Sequence, residues 1–316
     1  FWSKTSSGKL SVISTSVSTG KQFVIQGGDC AETFRDFSDE MIKNKLKILL
    51  QMSAIIKYTT SLKTINIGRI AGQYIKPRTN DIETRNGISL PTYRGDGVNS
   101  IEFDREKRIP DPKRLIKAYH QSAATMNLIK SLIISGFTDI QQIELWSRDL
   151  LDKSPLGEKY KDIVNKITDI IKFAKGSGII EKPIDHLNKP MNFYTSHEAL
   201  LLDYEKAFLI NDKNNKLYCC STHMLWVGDR TRSSDSEHID FVSSIHNPIG
   251  IKIGPTVDLD DLCKIYDKIN PKHINGRMVF ITRLGERNIE NILPELIDKV
   301  KDYGFNVTWL CDPMHG

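Results

Sequence analysis

No stretch of the 316 residues approaches the roughly eighteen uninterrupted apolar side chains that a membrane-spanning helix needs, so the sequence excludes a helical integral membrane protein. Dense basic runs with interleaved aromatics are missing too. The net charge of +5, from 44 Lys and Arg against 39 Asp and Glu, is spread along the chain, which argues against a nucleic-acid binder. Cysteine is scarce. The five residues form an odd set with no C-x-x-C pairing, which excludes the disulfide scaffold of a small secreted protein and a structural zinc site, and points to a reducing compartment. Internal repeats and low-complexity tracts are absent. The start, Phe1-Trp2-Ser3-Lys4, lacks the charged-then-apolar order of a signal peptide.

What remains is an ordinary globular composition, 39% hydrophobic and 26% charged, in a chain long enough to bury a large core. Short apolar segments recur, each ending in Gly, Cys, His or a polar or charged residue. They lie at 23–28, 64–69, 192–195, 224–228, 250–254, 278–283 and 307–311. Helical patterns fall between them. Ser38 reads as an N-cap ahead of Asp39 and Glu40, with Ile42, Leu46, Leu49 and Ile56 at helical spacing; Leu259, Leu262, Cys263, Tyr266 and Ile269 repeat the pattern before Asn270-Pro271 stops it. Strands alternating with helices predict a parallel sheet. A doubly wound sheet and a (β/α)₈ barrel both satisfy that alternation, but only the barrel expects chemistry at the C-terminal end of nearly every strand. The spacing therefore predicts a (β/α)₈ barrel, one incomplete domain over 1–316 that stops after its seventh strand.

A long gap, residues 77–191, separates the second and third strands. It contains a turn-rich loop at 90–96, and then a helix with Asp111 at the cap, Pro112 at the first position and Gly136 as terminator. A further helical pattern runs from about Ile163 to Phe173. The segment reads as a helical insertion suited to subunit contact or regulation.

The residues at or near the strand tips are Cys30, Arg69 with Lys76 and Arg78, Arg230, Lys252, Arg283 and His315. Cations converging on one barrel mouth repel one another, so such a site should hold anions, most simply phosphate and carboxylate groups. A Cys and a His on opposite sides add a transition-metal possibility. Each residue alone has a plainer role: Cys219, Cys220, Cys263 and Cys311 read as core filler, and strand-end Arg and Lys usually form solvated ion pairs. Their recurrence at the same end of successive strands is what those roles leave unexplained.

Longer motifs accompany these residues: Gln26-Gly27-Gly28-Asp29-Cys30-Ala31-Glu32-Thr33-Phe34, Gly68 to Thr79, Arg108-Ile109-Pro110-Asp111-Pro112, Ala118 to Thr125, Tyr194-Thr195-Ser196-His197-Glu198-Ala199-Leu200, Trp226 to Arg232, Ile251 to Pro255, and Cys311-Asp312-Pro313-Met314-His315-Gly316. In order and over almost the whole chain, they resemble class II (plant-type) 3-deoxy-D-arabino-heptulosonate 7-phosphate synthase. The resemblance implies a barrel that joins phosphoenolpyruvate to erythrose 4-phosphate with a divalent metal, Mn²⁺ or Co²⁺, at the first step of the shikimate pathway. It implies Cys30 and His315 as metal ligands. It implies Arg69, Lys76, Arg230, Lys252 and Arg283 as phosphoenolpyruvate-binding cations, and Lys76-Pro77-Arg78-Thr79 as the segment receiving erythrose 4-phosphate. Lys76, Lys252 and Asp229 would carry the chemistry, Asp229 standing where many members have Glu. The family's remaining Glu and Asp ligands and its eighth strand lie beyond the Met-His-Gly motif, so the sequence reads as a fragment. The resemblance further implies a homo-oligomer in the full-length form, in the cytoplasm or, behind a transit peptide, a plastid. The alternative reading is an inactive fragment or paralogue that binds anions or contacts a subunit.

Overall fold

A computed structural model describes residues 17, 19–137, 145–146, 157–177 and 193–315. Seven parallel strands make the main sheet: β1 (Gln22–Gly28), β2 (Lys63–Arg69), β5 (Phe193–Glu198), β8 (Met224–Val227), β9 (Ile249–Ile253), β10 (Met278–Thr282) and β11 (Val307–Cys311), hydrogen-bonded in that order. Strands that follow chain order, each parallel to the last, are the succession of a (β/α)₈ barrel.

Side-chain alternation shows that the sheet curls. One face of it contributes Ile65 and Ile67 of β2, Tyr194 of β5, Met224 and Trp226 of β8, and Val279 and Ile281 of β10 to a single buried cluster. Val24 of β1 and Leu310 of β11, from the two ends of the sheet order, pack against that same cluster. A flat sheet would hold those ends many strand spacings apart. Gln26 Nε2 also reaches across this interior to Ser196 Oγ at 2.8 Å.

The other face meets the helices. Ile25 of β1 packs on Ile42, Leu46 and Leu49 of α1 (Asp39–Thr60). Leu225, Val227, Ile249, Ile251, Ile253 and Phe280 pack on α5 (Glu237–Ser244), α6 (Leu259–Ile269) and α7 (Glu286–Asp302) through Ile239, Val242, Leu262, Ile265, Tyr266, Leu296 and Val300. Removing each such side chain from water contributes about 1.5–3 kcal/mol, so both faces of every central strand hold the barrel together. Ser38 caps α1 as expected, its hydroxyl accepting from Met41 N at 3.2 Å.

Four further strands form two antiparallel hairpins, β3 (Ile82–Arg85) with β4 (Ile88–Pro91), and β6 (Leu209–Asn211) with β7 (Leu217–Cys219). The sequence patterns anticipate neither. Between β2 and β5 the described residues also hold α2 (Lys113–Ile134) and α3 (Gly157–Gly176); residues 138–144, 147–156 and 178–191 of the expected insertion, and 192 of the expected third strand, lie outside the described ones. The start of α2 differs from expectation: Pro112, not Asp111, is its N-cap and makes no side-chain cap, while the Asp111 carboxylate, one residue earlier, accepts from Lys113 N at 2.9 Å. α4 (Leu202–Lys206) follows β5. Cys219 and Cys220 are core residues, whereas Cys311 is exposed, because outward positions become progressively less covered toward the end of β11, the last strand of the sheet order. No helix of the described residues is long and apolar enough to cross a membrane.

Candidate active site

Alternation decides which residue crowns each strand on the inner face. Ile65 and Ile67 point inward, so Arg69 continues their row; Val279 and Ile281 are followed by Arg283, and Leu310 by Asp312. On β9 the outward residues are Ile249, Ile251 and Ile253, which leaves Lys252 to the interior. β5 runs three residues further than its apolar stretch, through Ser196 and His197, both nearly inaccessible, and ends on Glu198. The tips are fixed by backbone hydrogen bonds that extend the ladders by one residue: Asp29 N to Arg69 O, Arg283 N to Ile253 O at 2.8 Å and Asp312 N to Thr282 O at 2.8 Å.

The resulting mouth is a set of cations interleaved with carboxylates. Lys252 Nζ donates to Asp312 Oδ2 at 2.8 Å, with both side chains about seven-eighths buried. His315 Nδ1 donates to the same oxygen at 2.8 Å. Burial pushes the Asp312 carboxyl up, but Lys252 and His315 outweigh it and hold it below the usual carboxylate range. Arg283 Nη1 donates to Asp229 Oδ2 at 3.2 Å, while Asp229 Oδ1 accepts from Arg232 Nη2 at 3.1 Å and Gly254 N at 3.0 Å. Asp229 therefore clamps Arg283 to the end of β9. Arg69 lies over the Trp226 ring, 4.8 Å from its centroid, and Arg69 Nη2 donates to Cys30 O at 2.6 Å. Loss of water lowers its pKa, against the pull of Cys30, Glu198, Asp312 and Asp29.

Glu198 sits in the field of three of these cations. Burial raises its pKa, and Arg69, Lys252 and Arg230 oppose the shift. Gly228 and Gly254 make room for the carboxylates: a Cβ on Gly228 would collide with Glu198 Oε1, and one on Gly254 with Asp229 Oδ2. Gly28, at φ 145°, is glycine because a Cβ there would run into the Arg69 carbonyl.

The structure gathers Arg69, Lys252, Arg283, Asp229 and Arg230 at one end of the sheet. The 76–79 segment leaves β2 beside them. Its backbone is tied to the loop before α2 by Lys76 N to Arg94 O at 2.8 Å, and Arg78 Nε donates to Tyr93 O at 2.8 Å; Lys76 and Arg230 enter no ion pair among the described residues, and Thr79 is exposed. Cys30 is an exposed thiol just past β1, and His315 lies just past β11. With Nδ1 of His315 committed to Asp312, Nε2 is the ring nitrogen available to a metal, the orientation a carboxylate commonly gives a histidine ligand. That donor chemistry fits a soft-leaning divalent ion, although among the described residues no three His, Cys, Asp or Glu side chains gather as a metal cluster. An apolar cavity of about 410 Å³ between α2 and α4, lined by Tyr119, Tyr204 and Phe208, has no charged lining residue and is unsuited to an anion.

Sequence reasoning singled out the cations but missed Glu198, Asp312 and Glu32. Each stands inside a quoted motif, and Glu198 and Asp312 also fall on the inward parity of their strands, which is the signal that finds them.

A family model described as "Class-II DAHP synthetase family" matches residues 6–316. The chain is 44% identical over 301 residues, 95% of its length, to a protein of Streptomyces coelicolor named phospho-2-dehydro-3-deoxyheptonate aldolase. It is 38% identical over 314 residues, 98% of its length, to phospho-2-dehydro-3-deoxyheptonate aldolase AroG of Mycolicibacterium smegmatis. The matches span 66% of each of those proteins.

Proposed function

The chain belongs to the class II DAHP synthetase family, and from that premise we propose that the protein is a 3-deoxy-7-phosphoheptulonate synthase, condensing phosphoenolpyruvate with erythrose 4-phosphate. The observation that carries the reading is the convergence of Arg69, Lys252 and Arg283 on one mouth, Lys252 and Arg283 each paired with a carboxylate and Arg69 held by the Cys30 carbonyl and the Trp226 ring. Phosphoenolpyruvate presents a phosphate and a carboxylate. Fixed cations neutralise both and orient C3, with Arg suited to the planar oxygen pairs and Lys supplying a compact charge. Arg230, at the rim beside Glu198, joins them.

In this reading C3 of phosphoenolpyruvate forms a bond to the aldehyde carbon, and the aldehyde oxygen takes a proton. A water oxygen adds at C2, one of its protons supplying the new hydroxyl; the C2–O bond to phosphate breaks, leaving a ketone at C2, and inorganic phosphate departs with the other proton. Lys252 Nζ, held in place by Asp312, balances charge on the phosphoenolpyruvate side throughout. Lys76, Arg78 and Thr79 receive the phosphate of erythrose 4-phosphate, with Lys76 close enough in sequence to the mouth to serve both substrates. Asp229 acts on the chemistry by fixing Arg283. A divalent metal, Mn²⁺ or Co²⁺, held by Cys30 and His315, supplies Lewis-acid polarisation of the aldehyde when bound. The described helices α2 and α3 between β2 and β5 are suited to contact within a homo-oligomer, and free cysteines together with bacterial relatives support a cytoplasmic location.

The test is turnover with both substrates. One phosphate released per phosphoenolpyruvate consumed, only when erythrose 4-phosphate is present and with a seven-carbon phosphorylated product, is the expected result. Phosphoenolpyruvate binding without turnover, metal supplied, would favour an anion-binding protein instead.

A further inference from the structure

Glu32 lies two residues beyond Cys30 and is 6% exposed. Its carboxylate accepts from three successive backbone N–H groups in the turn after β2, those of Ala71 at 2.9 Å, Gly72 at 2.8 Å and Gln73 at 2.8 Å. Its own N–H donates to Gln73 O at 2.7 Å. Consecutive amides wrapped on an anion form a nest, and this one requires Ala71 to hold φ at 64°, a left-handed conformation that a residue with a Cβ rarely adopts.

The third residue of the nest passes the connection on. Gln73 is 1% exposed; its Oε1 accepts from Glu198 N at 2.9 Å, and its Nε2 donates to Ile75 O at 2.9 Å. A second tie runs beside the first. Gly72 lies against the His197 ring so closely that a Cβ would collide with Nδ1, and His197 is anchored from the other side by Glu205, Nε2 to Oε1 at 2.8 Å, with both side chains buried. One continuous hydrogen-bonded path thus joins three strand tips. It starts beside Cys30 at β1, runs through the turn that connects Arg69 to Lys76 after β2, and ends at the backbone of Glu198 on β5.

We propose that Glu32 and Gln73 are positioning residues, which set the spacing between the Cys30 loop, the Arg69–Lys76 segment and Glu198 without touching substrate themselves. The inference rests on the synthase reading for its catalytic consequence and on the hydrogen-bond path for its mechanical one. All three tips border the mouth in which the two substrates must meet, and a displacement of about 1 Å in such an arrangement lowers turnover on the order of a hundredfold. The loss should fall on kcat. Lys252 and Arg283 are held from β9 and β10, outside the path, and Arg69 is also anchored by the Trp226 ring, so affinity for phosphoenolpyruvate should change less than turnover.

The experiment uses Glu32→Gln, Gln73→Leu and Gln73→Glu in the intact protein, with two readouts. Kinetically, Glu32→Gln and Gln73→Leu should lose roughly 30- to 100-fold in kcat with the KM for phosphoenolpyruvate within about threefold. Gln73→Glu keeps the acceptor for Glu198 N–H but sets an oxygen against the Ile75 carbonyl, so its activity should fall between those of wild type and Gln73→Leu. Mechanically, amide hydrogen exchange should speed up at both 71–73 and 198 in Glu32→Gln, although Glu32 contacts only the first. Exchange at Glu198 that stays at its wild-type rate in that variant, or a kcat within twofold of wild type, overturns the proposal. Wild-type protein without turnover, but with the exchange coupling intact, would instead overturn the synthase reading alone.

Discussion

Lys252→Ala is the perturbation whose size the structure sets most clearly. The Lys252 side chain is 13% exposed, and its ammonium lies 2.8 Å from an Asp312 carboxylate that is 14% exposed. Truncation does two things at once: an arriving phosphoenolpyruvate loses a charge-assisted partner, and Asp312 is left facing the same space with its charge less compensated. A hydrogen bond to a charged group contributes about 1.5–3 kcal/mol, and truncating one member of a buried charged pair costs about 2–5 kcal/mol. The mouth is open to water on one side, which screens part of this, so a loss of about 2–4 kcal/mol is expected, a Kd raised roughly 30- to 900-fold. Calorimetric titration with phosphoenolpyruvate in the presence of a chelator measures it free of metal effects. The double variant Lys252→Ala/Asp312→Asn removes the orphaned charge and should recover about 1 kcal/mol relative to Lys252→Ala. An unchanged Kd in Lys252→Ala, or a double variant that binds no better than the single one, would refute the argument.

Three other outcomes follow from the same geometry. His223 Nδ1 accepts from Thr195 N at 3.0 Å, and burial pushes its pKa down to about 3; the unfolded chain takes up a proton near pH 6.5 that the native state refuses, so stability is whole above that pH and falls by roughly 3–5 kcal/mol as pH drops toward 3, a slope that denaturant unfolding should show flattened in His223→Gln. Gly228→Ala should push the Glu198 carboxylate aside and weaken phosphoenolpyruvate binding at least about tenfold, while thermal melting moves only slightly because a side-chain end, not backbone, has to yield; unaltered binding would show that Glu198 does not border the ligand. Cys30→Ser should leave the melting temperature unchanged but lower Mn²⁺ or Co²⁺ affinity, since a hydroxyl is a far poorer ligand than a thiolate; full metal affinity in equilibrium dialysis would remove Cys30 from the ligand set.

Much of the barrel is legible because each strand carries an apolar run on at least one face and ends on a residue of another kind. β5 outruns its apolar segment for the opposite reason: Ser196-His197-Glu198 is polar, yet His197 is buried against Glu205 and the strand continues through it. The β3–β4 hairpin had one local signal, Asn86-Gly87, whose φ values of 50° and 79° suit the mirror-image turns of tight hairpins, but its flanks lack the alternation that makes such a signal persuasive. Arg108, in the Arg108-Ile109-Pro110 motif, turns out to be fully buried and structural: it donates to Glu102 O, Ile101 O, Pro91 O and Glu83, pinning the hairpin to the loop before α2. At the mouth the cations announce themselves by recurrence along the chain. The carboxylates do not, because what gives Asp312 and Glu198 their importance is proximity to cations on other strands, a relation the sequence expresses only after the strands are set side by side.

The central claim is that this mouth was built around the two anionic groups of phosphoenolpyruvate, and a crystal of the protein soaked with that compound tests it most directly. The account predicts difference density at the C-terminal end of the sheet, with phosphate and carboxylate held among Arg69, Lys252 and Arg283 and the enol carbon turned toward the Cys30–His315 side. Well-ordered phosphoenolpyruvate bound elsewhere, or an empty mouth at a saturating concentration, would contradict it.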